Sequence, residues 1–280
     1  MWIGQVRVEF LSDGTFWADG GGPFGLVPRV LWEKVHPPDE CNRVRMESRC
    51  LYMETQGVRV VVDTGYGDKL SEVERKRLRL ERPGGGLVAE LARLGVAPED
   101  VDVVINTHLH ADHCGGNTRR VGERIVPTFP RAQYWVQRLE LADASFPNER
   151  TRDTYFPENF RPLEERGQLR VLWGDTWITP EVRCQVTPGH TRAHQSVVIE
   201  SEGERAIFLA DAAHLVVHME RLAWVPSYDQ DPMQSIETKR ALGRWAAQER
   251  ALCIFQHEPA HAAGYLTEQD GQFRFEPLAG

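Results

Sequence analysis

His108-Leu109-His110-Ala111-Asp112-His113 places three imidazoles and a carboxylate within six residues, a density of metal-ligand types that packing alone rarely demands. The run just before it, Val101-Asp102-Val103-Val104-Ile105-Asn106, is apolar and short enough to read as a buried strand. The ligands therefore sit at a strand's end. In an extended chain His108 and His110, two apart, face the same side, and a turn or helix starting at Asp112-His113 folds two further ligands back toward them. Two adjacent metals fit this arrangement.

Working outward, the 280-residue chain is long enough to bury a full core and is read as one domain spanning 1–280. Its formal charge of −8 disfavours nucleic acid as a partner, because phosphate binding needs concentrated Lys and Arg. The five cysteines, Cys41, Cys50, Cys114, Cys184 and Cys253, are odd in number and form no Cys-x-x-Cys, so neither a disulfide framework nor a thiolate zinc site is expected. No basic-then-apolar leader opens the sequence and no 18-residue apolar run crosses it. A cytoplasmic protein without membrane contact is the expectation.

Val6–Phe10 alternates at period two, and 50–54 with 58–62 read as a strand pair turned at Gly57. Residues 12–48 hold Gly20-Gly21-Gly22-Pro23, Pro28, Pro37-Pro38 and the aromatics Phe16, Trp17, Phe24 and Trp32. That stretch reads as an extended N-terminal loop that covers something. Helices are expected over 68–78, 87–94 with Gly95 as the stop, 136–144 and 233–248. The last carries the strongest signal, Asp231-Pro232-Met233-Gln234: a side-chain cap, then proline at the first helical position. Further strands are expected over 171–173, 177–179, 182–187, 196–200, 206–210 and 252–255. Strands and helices interleave through both halves, so the fold class is α/β with mixed strand connections.

Three of those strands end in another metal-ligand residue. His190 follows Val186-Thr187-Pro188-Gly189, Asp211 follows Phe208-Leu209-Ala210, and His257 follows Ile254-Phe255-Gln256. Loops at a sheet's edge are where sites are built. Each residue alone has an ordinary reading as a polar loop side chain; the pattern lies in the shared position. Asp63, in Val61-Val62-Asp63-Thr64-Gly65, reads either as a turn cap or as a carboxylate orienting a ligand imidazole. His194 reads as a buried residue supporting its loop, Cys114 as a small buried hydrophobe, and His218 and His261 as surface histidines without a role.

These four segments, in this order, resemble the metallo-β-lactamase fold superfamily, in which His-x-His-x-Asp-His, a Gly-His turn, an Asp and a C-terminal His recur. The resemblance covers roughly Arg49 to His257. It implies a four-layer αββα sandwich of two mixed β-sheets flanked by helices. It also implies that His108, His110 and His190 hold one metal, that Asp112, His113 and His257 hold a second, and that Asp211 bridges both. The cofactors are then two divalent ions, zinc first, with iron, manganese or cobalt as alternatives. Paired ions about 3.5–4 Å apart can share a water and lower its pKa toward neutrality, so hydrolysis through a metal-bridging hydroxide is expected, with Asp112, Asp211 and His214 as catalytic candidates.

Within the superfamily, glyoxalase II-like thioesterases carry the motif earlier and a helical domain after it. Zinc β-lactamases lack a bridging aspartate at the position of Asp211, and flavodiiron proteins need a flavin domain. RNA-processing members are disfavoured by the acidic charge. What remains is similar to quorum-quenching lactonases and the methyl-parathion-hydrolase-like group, whose lead-in resembles Gly22-Pro23-Phe24-Gly25-Leu26-Val27-Pro28 and whose later segment resembles Tyr228-Asp229-Gln230-Asp231-Pro232. Homoserine-lactone lactonases often place a tyrosine three residues after the bridging Asp, where this chain has His214. That residue could orient a substrate carbonyl, protonate a leaving oxygen, or be structural.

The expected activity is cleavage of lactones or related small esters, on a small-molecule substrate. A phosphotriesterase or phosphoesterase, a non-hydrolytic iron dioxygenase or redox protein, and a metal-binding protein without catalysis are the competing readings. Phe24, Trp32 and the aromatics from Phe146 to Phe156 would either line a pocket over the metals or fill the core. The alternative reading of the lead-in is packing across a homodimer interface.

Overall fold

The computed structural model describes residues 1–278. Its first sheet starts with β1 (Trp2–Ile3), β2 (Val6–Asp19), β3 (Arg43–Thr55), β4 (Val58–Val62) and β5 (Val103–Ile105). A separate hairpin, β6 (Thr118–Val121) and β7 (Arg124–Pro127), interrupts the order before β8 (Gln133–Gln137) and β9 (Leu169–Leu172) complete that sheet. The second sheet runs β10 (Thr176–Trp177), β11 (Val182–Val186), β12 (Gln195–Ser201), β13 (Glu204–Phe208), β14 (Leu252–Ile254), β15 (Ala263–Gln269) and β16 (Gln272–Pro277) in spatial order. Both sheets are mixed. β4, β5, β8 and β9 pair in parallel beside antiparallel β1 to β4, and β13 pairs in parallel with β14 inside an otherwise antiparallel sheet.

The two sheets face each other across a core of β-branched and aliphatic side chains, among them Val8, Leu51, Val60, Ile105, Val197, Ile199 and Phe208. Outside the first sheet, helix Leu87–Arg93 packs Leu87 and Leu91 on Tyr52, Val61 and Val104. Outside the second, helix Pro232–Glu249 packs Leu242 and Ala246 on Ile207, Cys253 and Phe255. The four layers are therefore the αββα sandwich expected. Strands covered on both faces cannot alternate with water, which is why β4, β5 and β14 read as continuous apolar runs. None of the helices among the described residues is long and apolar enough to cross a membrane.

The long helix starts as its sequence signal dictates: Asp231 Oδ1 accepts from Gln234 N at 3.0 Å, with Pro232 first. Other boundaries moved. Helix Glu72–Leu78 begins at a Ser71–Glu74 capping box and not at Asp68, and Val136 belongs to β8, so the following helix is Arg138–Ser145.

The N-terminal loop expected over 12–48 needs the largest correction. β2 continues to Asp19 and β3 already begins at Arg43, so Phe16 pairs with Met46 and Trp17 with Arg45. A bulge between Ser12 and Thr15 breaks the period-two pattern there. Only 20–42 is irregular, apart from single helical turns at Gly21–Phe24 and Arg29–Trp32. Phe24 and Trp32 are core residues: their rings stack at 4.7 Å and pack with Met46 and Trp224. His218 is also buried, against Phe24, and not on the surface.

Candidate metal centre

β5, β11, β13 and β14 all end at the same edge of the sandwich, and their following loops deliver His108, His190, Asp211 and His257 to one place. The loop after β5 is held from below by Leu109, which lies in a core with Cys114, Val136 and Phe160. His108 and His110 are thereby turned the other way. His110 then precedes the short helix Ala111–Cys114, which carries Asp112 and His113. Cys114 is fully buried, and burial pushes its thiol up, so it is no thiolate.

Asp211 sits in the middle. Its Oδ2 lies 3.1 Å from His190 Nε2, 3.3 Å from His113 Nε2 and 3.8 Å from His108 Nε2, and its Oδ1 lies 3.0 Å from His257 Nε2. Asp112 Oδ2 is 3.6 Å from His113 Nε2 and 3.7 Å from His257 Nε2. Ligand atoms thus gather as His108, His110, His190 and Asp211 on one side and Asp112, His113 and His257 on the other. Nitrogen ligands on a tetrahedral zinc stand about 3.3 Å apart, the separation this cluster already has.

Hydrogen bonding from behind assigns the imidazole tautomers. His113 Nδ1 faces Asp63 Oδ2 at 2.9 Å, His257 Nδ1 faces the Glu47 carbonyl at 2.7 Å, and His190 Nδ1 faces Asp229 Oδ1 at 2.9 Å. Each Nδ1 therefore carries the hydrogen, leaving a lone pair on Nε2. Yet His113 Nε2 and His257 Nε2 face each other at 3.3 Å, and His190 Nε2 points at the Asp211 carboxylate. Acceptor opposes acceptor, while His108 Nε2 and Asp211 Oδ1 are buried with no hydrogen-bond partner at all. Such a set is costly without cations between its members, so the donor set fits two divalent ions.

Charge follows the same pattern. Burial, then the neighbouring imidazoles, push His108 and His110 well below the usual histidine range, which keeps them neutral as ligation requires. Burial opposes charge on His113 too, but Asp211 and Asp112 outweigh it and lift that imidazole well above its ordinary value, so the positive charge favoured on its Nε2 side is a proton's in the metal-free protein and would be the cation's once one is bound. Burial would raise Asp211, yet His214, His113, His257 and His190 around it hold its carboxyl well below the usual carboxylate range.

Above the cluster opens a cavity of about 730 Å³. Asp112, Asp211 and His214 lie on its floor, Phe16, Met46, Tyr66, Leu78 and Phe156 form apolar wall, and Arg43, Arg77 and Arg150 stand among its lining. Of the expected pocket aromatics, Phe156 lines it, Tyr155 packs on His110 with ring centroids 4.9 Å apart, and Phe146 is exposed. His214 reaches to 3.0 Å from Asp211 Oδ2, and neither of its buried ring nitrogens has a hydrogen-bond partner. His194 supports from beneath: it lies 2.8 Å from Thr187 Oγ1 and accepts Asp211 N on Nε2 at 3.1 Å.

Backbone strain marks two of the loops. Ala210, directly before Asp211, has φ 46°, a conformation that costs a non-glycine residue energy and clusters at functional sites. Gly189, directly before His190, has φ 137°, and a Cβ there would lie 2.4 Å from Ser235 Oγ and 2.6 Å from its Cα. Gly189→Ala is accordingly expected to cost about 2 kcal/mol, lowering Tm by roughly 4–8 °C, and to reduce activity by displacing His190. A thermal melt and a rate within error of the parent would show the turn to be adaptable.

Sequence reasoning missed Asp229, Glu140, Thr107 and Arg49. Asp229 holds His190, and Thr107 Oγ1 bridges Asp63 and His108 at 2.7 and 3.1 Å. The Arg49 guanidinium donates to the carbonyls of Phe255, Gln256 and Glu258, fixing the His257 turn. Asp229 stood beside the recognised helix start; nothing local distinguished the others.

Fold and site define a class of metal-dependent hydrolase. The chain belongs to the metallo-β-lactamase superfamily, whose profile matches residues 45–257, and is a hydrolase of that superfamily related to lactonases. It is 28% identical over 220 residues to an N-acyl homoserine lactonase of Bacillus sp, covering 75% of this chain and 80% of the relative. It is 27% identical over 183 residues to the N-acyl homoserine lactonase AttM of Rhizobium radiobacter, covering 62% and 64%. Among solved structures, a probable metal-dependent hydrolase from Staphylococcus aureus superimposes with a TM-score of 0.90 at 28% identity, over 100% of this chain and 99% of that one. AidC, a dizinc quorum-quenching lactonase in complex with a product, superimposes at 0.81 with 20% identity over 100% and 97%, a likeness of fold.

Proposed function

We propose that this chain is a single-domain dinuclear metal-dependent hydrolase that cleaves lactones or related small esters. The observation carrying this reading is that Asp211 stands between two groups of lone-pair donors on the floor of a cavity with apolar wall. His108, His110 and His190 would hold one cation, Asp112, His113 and His257 the other, with Asp211 shared; zinc is the first choice because imidazole and carboxylate suit it. Two divalent ions held by these residues would lower the pKa of bound water and polarise a substrate carbonyl.

The residues around them set the rest. Asp63, the Glu47 carbonyl and Asp229 keep the imidazole lone pairs turned inward. His214, unpartnered beside Asp211, orients the ester carbonyl or gives a proton to the departing oxygen. The apolar wall excludes water and suits a substrate with an apolar portion. The similarity to lactonases supports ring-opening of a lactone over attack on phosphorus. All five cysteines are unpaired, which suits a reducing cytoplasm.

The test is a panel of lactones, aryl esters, phosphotriesters and phosphodiesters, run with and without chelator beside elemental analysis. Chelator-sensitive turnover fastest on a lactone or ester is expected. Turnover confined to phosphoesters rejects the substrate class. A single iron consuming oxygen with a sulfur substrate rejects hydrolysis.

A further inference from the structure

Glu140 is a fully buried carboxylate that no metal-ligand pattern includes. It lies in the first turn of helix Arg138–Ser145, and three donors from three separate segments converge on it. Oε1 accepts from Leu109 N at 2.9 Å and from the Tyr155 hydroxyl at 3.1 Å; Oε2 accepts from the Thr191 hydroxyl at 2.6 Å. It makes no ion pair with a Lys or Arg within 4 Å among the described residues; burial pushes its carboxyl above the ordinary value, and these hydrogen bonds, with His190 nearby, oppose that. Burying a carboxylate on such terms costs stability; an apolar side chain would pack there more cheaply.

What the three donors have in common is their position. Leu109 lies between His108 and His110, Thr191 follows His190, and the Tyr155 ring packs on His110. One carboxylate therefore joins the two loops that carry all three imidazoles of one donor group. In the other group His257 is anchored elsewhere, by the Glu47 carbonyl and the Arg49-fixed turn, whereas Asp63 holds His113 and also reaches His108 through Thr107. Resting on the two-metal reading above, we infer that Glu140 is a positioning residue for one cation only, the one held by His108, His110 and His190.

The consequence is selective loss. Outer partners of ligands typically set metal affinity by 10–100-fold. Glu140→Leu keeps the volume but removes both acceptors, and is expected to weaken one cation by that factor, taking the purified protein from two metals per chain to one. Glu140→Gln keeps an acceptor for Leu109 N and presents an amide to the Thr191 hydroxyl, which can accept, so it should restore most of the affinity. Arg49→Met, which frees the turn carrying His257, should deplete the opposite site.

The experiment measures metal stoichiometry by elemental analysis, chelator-competition affinities, and the visible spectra of the Co²⁺-loaded proteins. One remaining ion in each of Glu140→Leu and Arg49→Met, with visible spectra that differ from each other and from that of the parent, is expected. If Glu140→Leu does not fold, Thr191→Val, which deletes a single hydroxyl, carries the same test through a smaller loss at the same site. A folded Glu140→Leu or Thr191→Val that keeps both ions with unchanged affinity and spectrum overturns the inference, as does equal loss of both. A parent protein that holds only one ion instead fails the two-metal reading, and this inference with it.

Discussion

Asp211→Asn lowers kcat/KM by more than about 100-fold, while the metal-free variant melts within a few degrees of the metal-free parent. The expectation rests on what the carboxylate touches. Its two oxygens lie 3.0–3.3 Å from the Nε2 atoms of His190, His113 and His257, so it contacts both donor groups. An amide keeps the shape but offers one oxygen, and its NH₂ presents hydrogens where a cation would sit. Removing outer partners of ligands already costs 10–100-fold, and the shared inner ligand should cost more. Folding is affected less, because the neutral amide removes a buried charge that only the imidazoles hold in place. Rates measured beside thermal melts decide the matter: parallel loss of both would make the cluster a structural staple with no separate catalytic role.

The second large effect is metal removal. Chelation followed by dialysis is expected to abolish turnover and to lower Tm by roughly 8–16 °C, with both restored by Zn²⁺. A cation present at a thousandfold over its Kd stabilises by about 4 kcal/mol, and each kcal/mol moves Tm by roughly 2–4 °C in a chain of this size. The physical source is visible in the site. His113 Nε2 and His257 Nε2 oppose each other at 3.3 Å, and His108 Nε2 and Asp211 Oδ1 are sealed from water without partners. A stripped protein with unchanged melting and full activity would remove the basis for every role assigned to these residues.

The ligand candidates were legible because each follows an apolar run that ends abruptly, a local signature independent of the rest of the chain. Their supporters were not. Asp229 lies 39 residues from His190 in sequence, and Glu47 lies 210 from His257. Glu140 reads as one more acidic residue opening a helix, the commonest place for one. The loop expected over 12–48 failed for a related reason: the bulge at Ser12/Thr15 hides a long hairpin that only cross-strand pairing reveals. Phe24 and Trp32 stayed open between pocket and core because glycines and prolines surround them, and packing against Trp224 places them in the core.

By itself, then, the sequence determined the α/β class, the positions of the strand ends and the residue types standing on them, since periodicity and ligand chemistry are properties of short windows. The tertiary structure alone decided which imidazole nitrogen faces inward, which groups hold the imidazoles from behind and what anchors each loop. Those depend on contacts between segments far apart in the chain, where burial turns an ordinary Asp or Glu into a partner that fixes a proton.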